Sequence, residues 1–487
     1  MILGALVRYY ETMAARGEIA PLGYGKSKVS YELNLNDAGE LVSVVPLLVE
    51  VSSGKKMVER AQEVRVPEPV VRSVGIAANF LCDGSSYLLG YDEKGKPERT
   101  KECFEAAKTL HKKILADVTT PFAQAIVRFF ETWDGTKVPE NEALEPFLQQ
   151  ILKGANLVFV QGAHFAHEDA DILRAWDQYY RNKEGGEQGT CLVKGERTAI
   201  AKLHPKIKGV RDAQSSGASL VSFNARAFES YGREDEQGLN APVGEYAAFA
   251  YTTALNALIA DPKHRTFLGD MTVVYWSEDG NNAASDFIDM NLDPFAENEH
   301  EDVDTLLHDV MEKVAHGEPL AQDINVECPF YILGLAPNAA RISVRFFLRD
   351  TFRVFTQRLA EHYKRMEIIK APFEREYVRI PQILASLSNP NATNKKPPDS
   401  VSGSLVRDIL AGARYPETML TTVMMRVRAE QDDAGRSIRK VSRERAAIIK
   451  AFLLRNSAIP NIAEDCKVSL NVDFENRAYV RGRMVSV

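Results

Sequence analysis

With 487 residues, 45% of them apolar and 26% charged, the chain has the composition of a globular protein of several domains. No run of eighteen apolar residues occurs, and the opening MILGALVRYYETMAARGE carries Arg8 and Glu11 inside its apolar pattern; this excludes a membrane span and a signal peptide there and makes the cytoplasm the expected location. Net charge is −7, which by itself argues against a nucleic-acid partner, but between Ser277 and Glu327 fifteen acidic residues face one lysine, Lys313, so this −14 segment leaves +7 for the rest of the chain.

Leu3, Leu6, Val7 and Tyr10 recur at helical spacing and predict a first helix ending at Gly17. Alternation through Val29, Tyr31, Leu33 and Leu35, then Asn36-Asp37-Ala38-Gly39 and Leu41 to Val45, predicts a β-hairpin. Helical patterns dominate from Lys101 to Lys153, Asn156 to Val160 reads as a short buried strand, and Glu168 to Tyr180 as a helix. Ser219 to Phe223 has a strand-like pattern, Pro242 to Ala260 reads as a largely apolar helix, and MTVVYWS after it as a strand. In FYILGLAPNAARISVRFFLRDTF the Pro337-Asn338 turn favours a hairpin to Leu348, with Asp350 or Thr351 capping a following helix and Arg341 and Arg345 on one sheet face. SLVRDILAG, ETMLTTVMMRVRAE and SRERAAIIKAFLLRN are helical patterns. The fold class is therefore α+β, divided into an N-terminal α/β domain at 1–235, a central α/β region at 236–385 holding the acidic segment 277–327, a linker at 386–404, and a helical C-terminal portion at 405–487.

The chain lacks G-x-x-x-x-G-K-[ST], G-x-S-x-G and H-E-x-x-H, so no phosphate cradle, nucleophile elbow or zinc-peptidase reading has motif support. Cys82, Cys103, Cys191, Cys328 and Cys466 form no C-x-x-C pair, which argues against disulfides and a cysteine zinc site. His164, His167 and Asp169, with Glu168 and Asp171 beside them, have the residue types of a metal-dependent nucleic-acid hydrolase. The plainer reading is a loop entering a helix whose first turn favours anions.

The cations form four clusters. The densest, KGERTAIAKLHPKIKGVR, holds Lys194, Arg197, Lys202, Lys206, Lys208 and Arg211 against Glu196 alone, and runs into the Gln214-Ser215-Ser216-Gly217 turn. Spaced cations can neutralise successive phosphates, while Gly and Ser let backbone N–H groups approach a nucleic-acid backbone. The others are Lys55 to Arg72, Arg341 to Arg365 and Arg426 to Lys450. Each alone more often reads as a solvated face.

MILGALVRYYETMAARGEIAPLGY, RVPEPVVRSVGIAANFLCDGSSYLLG, CLVKGERTAIAKLHPKIKGVR, GLNAPVGEYAAFAYTTALNALIA, FYILGLAPNAARISVRFFLRDTF and RERAAIIKAFLLRN, in this order over the chain, resemble the Csd-type large subunit of the type I-C CRISPR-guided surveillance complex, Cascade. The resemblance implies a non-catalytic subunit without metal or cofactor. It senses the protospacer-adjacent motif in double-stranded target DNA and assists duplex opening and R-loop formation. Implied partners are the guide-RNA-containing backbone and cap subunits, the small subunit, and a helicase-nuclease recruited after target binding. The resemblance also implies a helical small-subunit-like region continuing beyond this point, with Met484 a candidate internal start for a separate product. Side chains that read bases must reach base edges, so Asn79, Gln214, Ser215, Ser216 and Gly217, with Lys55, Lys56 and Arg72, are the candidates for motif sensing. Lys194, Arg197, Lys202, Lys206, Lys208, Arg211, Arg341 and Arg345 are the candidates for backbone binding. Asn79 equally fits a turn residue, and Arg72 a partner for Glu68.

Overall fold

The computed structural model describes the chain except residues 54–55, 71, 73–74, 94–96, 182–185, 224, 231, 235, 293–301, 317, 319–323, 390–398, 431–439 and 486–487. Helices and several small sheets make an α+β protein of two compact units, one comprising 13–205 and 223–253, the other 1–12, 206–222 and 254–487. Among the described residues no helix is long and apolar enough to cross a membrane.

In the unit of 13–205 and 223–253, strands β1 (Tyr24–Val29), β2 (Tyr31–Leu35), β3 (Leu41–Pro46), β4 (Leu48–Ser53), β5 (Lys56–Pro67), β6 (Cys82–Gly84), β7 (Asn156–Gln161) and β8 (His164–Phe165) build two sheets. The predicted hairpin is β2–β3, Glu32 opposite Val45 and Leu33 opposite Val44. β7 lies parallel to β2, Leu33 opposite Phe159, and carries β6 on its other side. This parallel pairing requires a crossover, which the helices Pro97–Ile114 and Pro121–Thr132 supply; Phe122, Ile126, Phe129 and Phe130 pack with Leu33, Leu157 and Phe159 in the core. A second sheet has the order β1-β5-β4. A two-stranded ribbon, β9 (Gln188–Thr190) with β10 (Arg197–Ala199), completes the strands of this unit.

His111 is fully buried in that core. Its Nδ1 lies 2.7 Å from the Ala107 carbonyl and so donates, leaving Nε2 to accept from the Leu81 N–H at 3.0 Å. Both bonds require the neutral ring, and burial lowers its pKa to about 4.

The other unit is built on the antiparallel sheet β11 (Arg265–Leu268), β12 (Met271–Ser277), β13 (Pro329–Asn338) and β14 (Arg341–Thr351), in that order. β12 is buried at every residue, so apolar cover is needed on both faces. Met271, Val273, Tyr275, Phe330 and Ile332 face the helices Phe352–Met366, Ile380–Leu387, Asp399–Leu410, Glu417–Ala429 and Arg443–Asn456. The predicted β13–β14 hairpin is present, but its turn is Ala339-Ala340, because Pro337 and Asn338 pair with Ile342 and Arg341 as strand residues, and its second strand runs past Leu348 to Thr351. The predicted cap is Thr351, which accepts from the Val354 N–H at 3.4 Å. Trp276, Tyr331 and Phe347 stack on the opposite face, with ring centroids 5.2 and 5.9 Å apart. The start of the first helix, Ile2–Ala15, covers them: Tyr9 meets the Trp276 ring at 6.5 Å and Arg8 Nη2 donates to Tyr331 Oη at 2.9 Å. Of the predicted linker, residues 390–398 lie outside the described residues, and helix Asp399–Leu410 begins inside its boundaries because Val401 and Leu405 reach the core.

Arg445 joins three of these helices. Nη1 and Nη2 donate to the Glu430 carboxylate at 2.6 and 2.5 Å, Nη1 also to Lys440 O, and Nε and Nη2 to Ser386 O. All five guanidinium N–H groups are satisfied at a site where both charges are only 5% exposed.

Arg445→Ala should therefore leave Glu430 buried and unpaired, and lower unfolding stability by about 3–5 kcal/mol in denaturant melts. Replacing both partners by leucine should cost much less; an equal loss from the single and double variants would refute the pairing argument. Burial likewise lowers His204 to about 4 and His362 to about 3. Depressed values mean that the unfolded chain takes up protons first. Stability should hold above about pH 6.5 and fall between there and about pH 4, each histidine removing up to about 1.4 kcal/mol for every pH step of one across that window. A denaturation midpoint unchanged from pH 7 to pH 5 would contradict this.

Candidate nucleic-acid interface

The basic loop is an ordered element. Ile207 and Ala218 exchange two backbone hydrogen bonds of 2.9 Å, closing residues 207–218 into a loop with a narrow neck. Beside that neck Gly217 N donates to Gln214 O at 2.8 Å, so the predicted turn is present. Gly217 sits at φ +88°, where a Cβ would lie 2.9 Å from Ile207 O and 3.0 Å from Lys206 Cβ. Gly209, at φ +83°, passes so close to Ile259 that a Cβ would meet its Cγ2 at 2.8 Å. Only glycine combines that left-handed backbone with that approach.

Asn256 grips the loop: its Oδ1 accepts from Lys208 N at 2.8 Å and its Nδ2 donates to Lys206 O at 3.0 Å. Further on, Arg211 N donates to Thr272 Oγ1 at 2.9 Å, fixing the loop to the tryptophan-bearing face of the four-stranded sheet. With their backbones engaged in this way, Lys206, Lys208, Gln214, Ser215 and Ser216 present exposed side chains. Neither lysine has an ion pair among the described residues. Arg211 is more confined: its guanidinium lies 5.5 Å from the Phe267 ring centroid, which Arg265 also approaches at 4.9 Å, and 4.0 Å from Asp212. Ser219 to Phe223 does not form the expected strand. Only Ser219 pairs, in a parallel bridge with the edge of β14: Ser219 N donates to Ala340 O and Ile342 N to Ser219 O, both at 3.0 Å.

That bridge brings Arg341 beside the loop. Arg345 does not share its environment as predicted, because the β13–β14 register shifts between Gly334 and Leu335 and leaves Arg345 as the extra residue of a bulge, with both Val344 and Arg345 exposed. From there Arg345 reaches Asp270 at 3.3 Å and lines a cavity of about 270 Å³ with Met271, Ser404 and Arg407.

The motif-sensing candidates near residue 72 are built differently. Arg72 forks onto the buried Asp83, Nη1 at 3.1 Å and Nη2 in a second short contact, donates through Nε to Ala77 O at 2.7 Å, and stacks 4.1 Å from the Tyr87 centroid. Its carboxylate is thus Asp83, and Glu68 instead accepts from Tyr180 Oη. Asn79 N donates to Asp83, and Asn79 Oδ1 accepts from Val70 N at 2.9 Å, so the half-buried residue is tied into the local backbone. Lys55 lies outside the described residues, as does the side chain of Lys56. Lys194, Arg197 and Lys202 belong to one unit and Lys206, Lys208 and Arg211 to the other. Lys194 lies 4.8 Å from the Tyr246 ring centroid, while Arg197 and Lys202 are exposed. The cluster from Arg426 to Lys450 is engaged internally through Arg445, through Arg443 on the carbonyls of Arg375 and Glu376, and through Lys450 on that of Glu367.

His164 is exposed on β8, whereas His167 is buried beside Phe165, which lowers its pKa. Asp169 Oδ1 accepts from Asp171 N and Ile172 N, both at 3.0 Å, and so caps the helix Ala170–Arg181. Among the described residues no three His, Cys, Asp or Glu side chains form a group able to hold a metal. Sequence reasoning missed Asn256, Thr272 and Arg407, which lie 34 or more positions beyond Ser222; the one local signal was Gly209 following Lys-Ile-Lys.

No curated protein matches the chain. A family model described as CRISPR-associated protein (Cas_Csd1) matches residues 6–487, and the chain belongs to this CRISPR-associated Csd1 family.

Proposed function

We propose that this protein is the non-catalytic large subunit of a type I-C Cascade, recognising the protospacer-adjacent motif in double-stranded DNA, assisting R-loop formation and recruiting a helicase-nuclease. Family membership supports a role in CRISPR defence and in an effector complex. The observation that carries the DNA-binding part is the pinned loop 207–218. Two lysines with no ion pair among the described residues, three exposed polar side chains at a turn, and the adjacent Arg341 sit on a backbone that is already ordered. Such a loop loses little conformational freedom on binding, and its cations act on phosphates whatever the sequence. Gln214, whose amide can pair bidentately with adenine, is the strongest candidate in it for reading a base edge, with Ser215 and Ser216 exposed beside it. In an RNA-guided complex the guide reads the long sequence, so the protein needs only a few contacts to a short duplex motif and to backbone shape.

Lys206→Ala and Lys208→Ala should each lower the salt-dependence slope of duplex binding by the assembled complex by about one and weaken all motifs alike. Gly217→Ala should weaken binding through the same loop without removing a charge, leaving the slope nearly unchanged. Gln214→Ala should alter discrimination between adjacent motifs by about 1–3 kcal/mol. Unchanged binding in all four variants would remove the loop from the interface. DNA cleavage by the isolated protein that His167→Ala abolishes would overturn the non-catalytic reading.

A further inference from the structure

The β4–β5 ribbon is exposed on both faces. Every residue from Leu48 to Val51 and from Met57 to Arg60 is exposed, and five of these eight are large and apolar: Leu48, Val49, Val51, Met57 at 61%, and Val58. A two-stranded ribbon with water on both sides is marginal by itself, and contiguous exposed apolar residues mark interaction surfaces. The register states what kind. Glu50 stands directly opposite Glu59, flanked on the same face by Leu48 and Met57, while Val51 opposes Val58 and Val49 opposes Arg60 on the other. Opposed like charges destabilise a strand pair, and neither carboxylate has an ion pair among the described residues. The isolated ribbon thus carries an electrostatic cost that a cation placed between the two would remove.

We infer that the β4–β5 ribbon is a docking arm for a second, non-identical protein that offers an apolar surface with an arginine or lysine set between Glu50 and Glu59. Along Leu48–Val51 and Met57–Arg60 a nucleic acid is the wrong occupant, because its phosphates would meet the two carboxylates and gain nothing from the valines; the motif-sensing candidates Lys55 and Lys56 lie outside this stretch of the sequence. A second copy of this chain is also wrong, because two-fold pairing of that face would bring four carboxylates together. The inference rests on the reading that the chain works inside a multi-protein complex, and it adds the surface and chemistry of one contact.

The test is co-production of the tagged full-length chain with the other subunits of a type I-C complex. Glu50→Lys/Glu59→Lys, and separately Val51→Asp/Met57→Asp, should reduce recovery of companion subunits at least tenfold. The melting temperature of the free chain should stay unchanged, since all four side chains are exposed. Hydrogen exchange at 48–51 and 57–60 should slow on assembly and stay fast when duplex DNA alone is added. Undiminished recovery in both variants would overturn the proposal, as would protection of the ribbon by DNA alone, or a dimer of the free chain that the variants dissociate. If the unsubstituted chain recovers no companion, the multi-subunit reading falls and this one with it.

Discussion

The unit that carries the basic loop depends on one constraint: β12 buries every residue, so its sheet requires apolar cover on both sides. Helices from the C-terminal half supply one cover, with Phe352, Phe355, Leu359 and Ile383 in the core. The other face, with Trp276 and Tyr331, is covered by segments far away in sequence, the start of the first helix and the loop 206–222. A loop recruited to cover a sheet cannot be loose. Hence the main chain of the most cationic stretch is held by Asn256, Thr272 and the edge of β14, while its lysine side chains remain in water.

This arrangement separates two roles that charge counting merges. Arg445, Arg443 and Lys450 bind carboxylates or carbonyls of their own unit, and Arg72 is tied to Asp83 beneath a tyrosine ring. Their charge contributes to structure. Lys206 and Lys208 are short of such partners and are presented by a backbone in which both glycines at positive φ are sterically required. Of two clusters with similar composition, one is therefore internal cross-linking and the other an outward-facing surface.

Much of the fold was legible in the sequence because it follows local periodicity. The β2–β3 turn at Asn36 to Gly39, the β13–β14 hairpin with its Thr351 cap, and the C-terminal helices each have their signal within a dozen residues, although the β13–β14 turn falls at Ala339-Ala340, two positions beyond the Pro337-Asn338 signal. What was hidden depends on distant partners. The alternation in RISVRFF gives no sign of a bulge, because the register shift arises at Gly334 on the opposite strand, so Arg341 and Arg345 looked equivalent. Ser219 to Phe223 has strand composition, but only one residue finds an edge to pair with. The choice between Glu68 and Asp83 for Arg72 is likewise decided by tertiary placement: Tyr180 from a later helix takes Glu68.

The exposed ribbon and the pinned loop illustrate opposite solutions to presenting a binding surface. In the loop the main chain is satisfied internally and the charges face outward, which suits a polyanion whose contacts are exchanged many times. In the β4–β5 ribbon the apolar side chains face outward and two carboxylates are opposed, an arrangement that water tolerates poorly on both counts. A chain that had only to bind DNA would gain nothing from keeping such a ribbon in water. Its stability in the free protein must then be lower than in an assembly that covers the valines and neutralises Glu50 and Glu59. On the function proposed above, the two surfaces would serve different steps, a lasting protein contact and a reversible contact with duplex DNA.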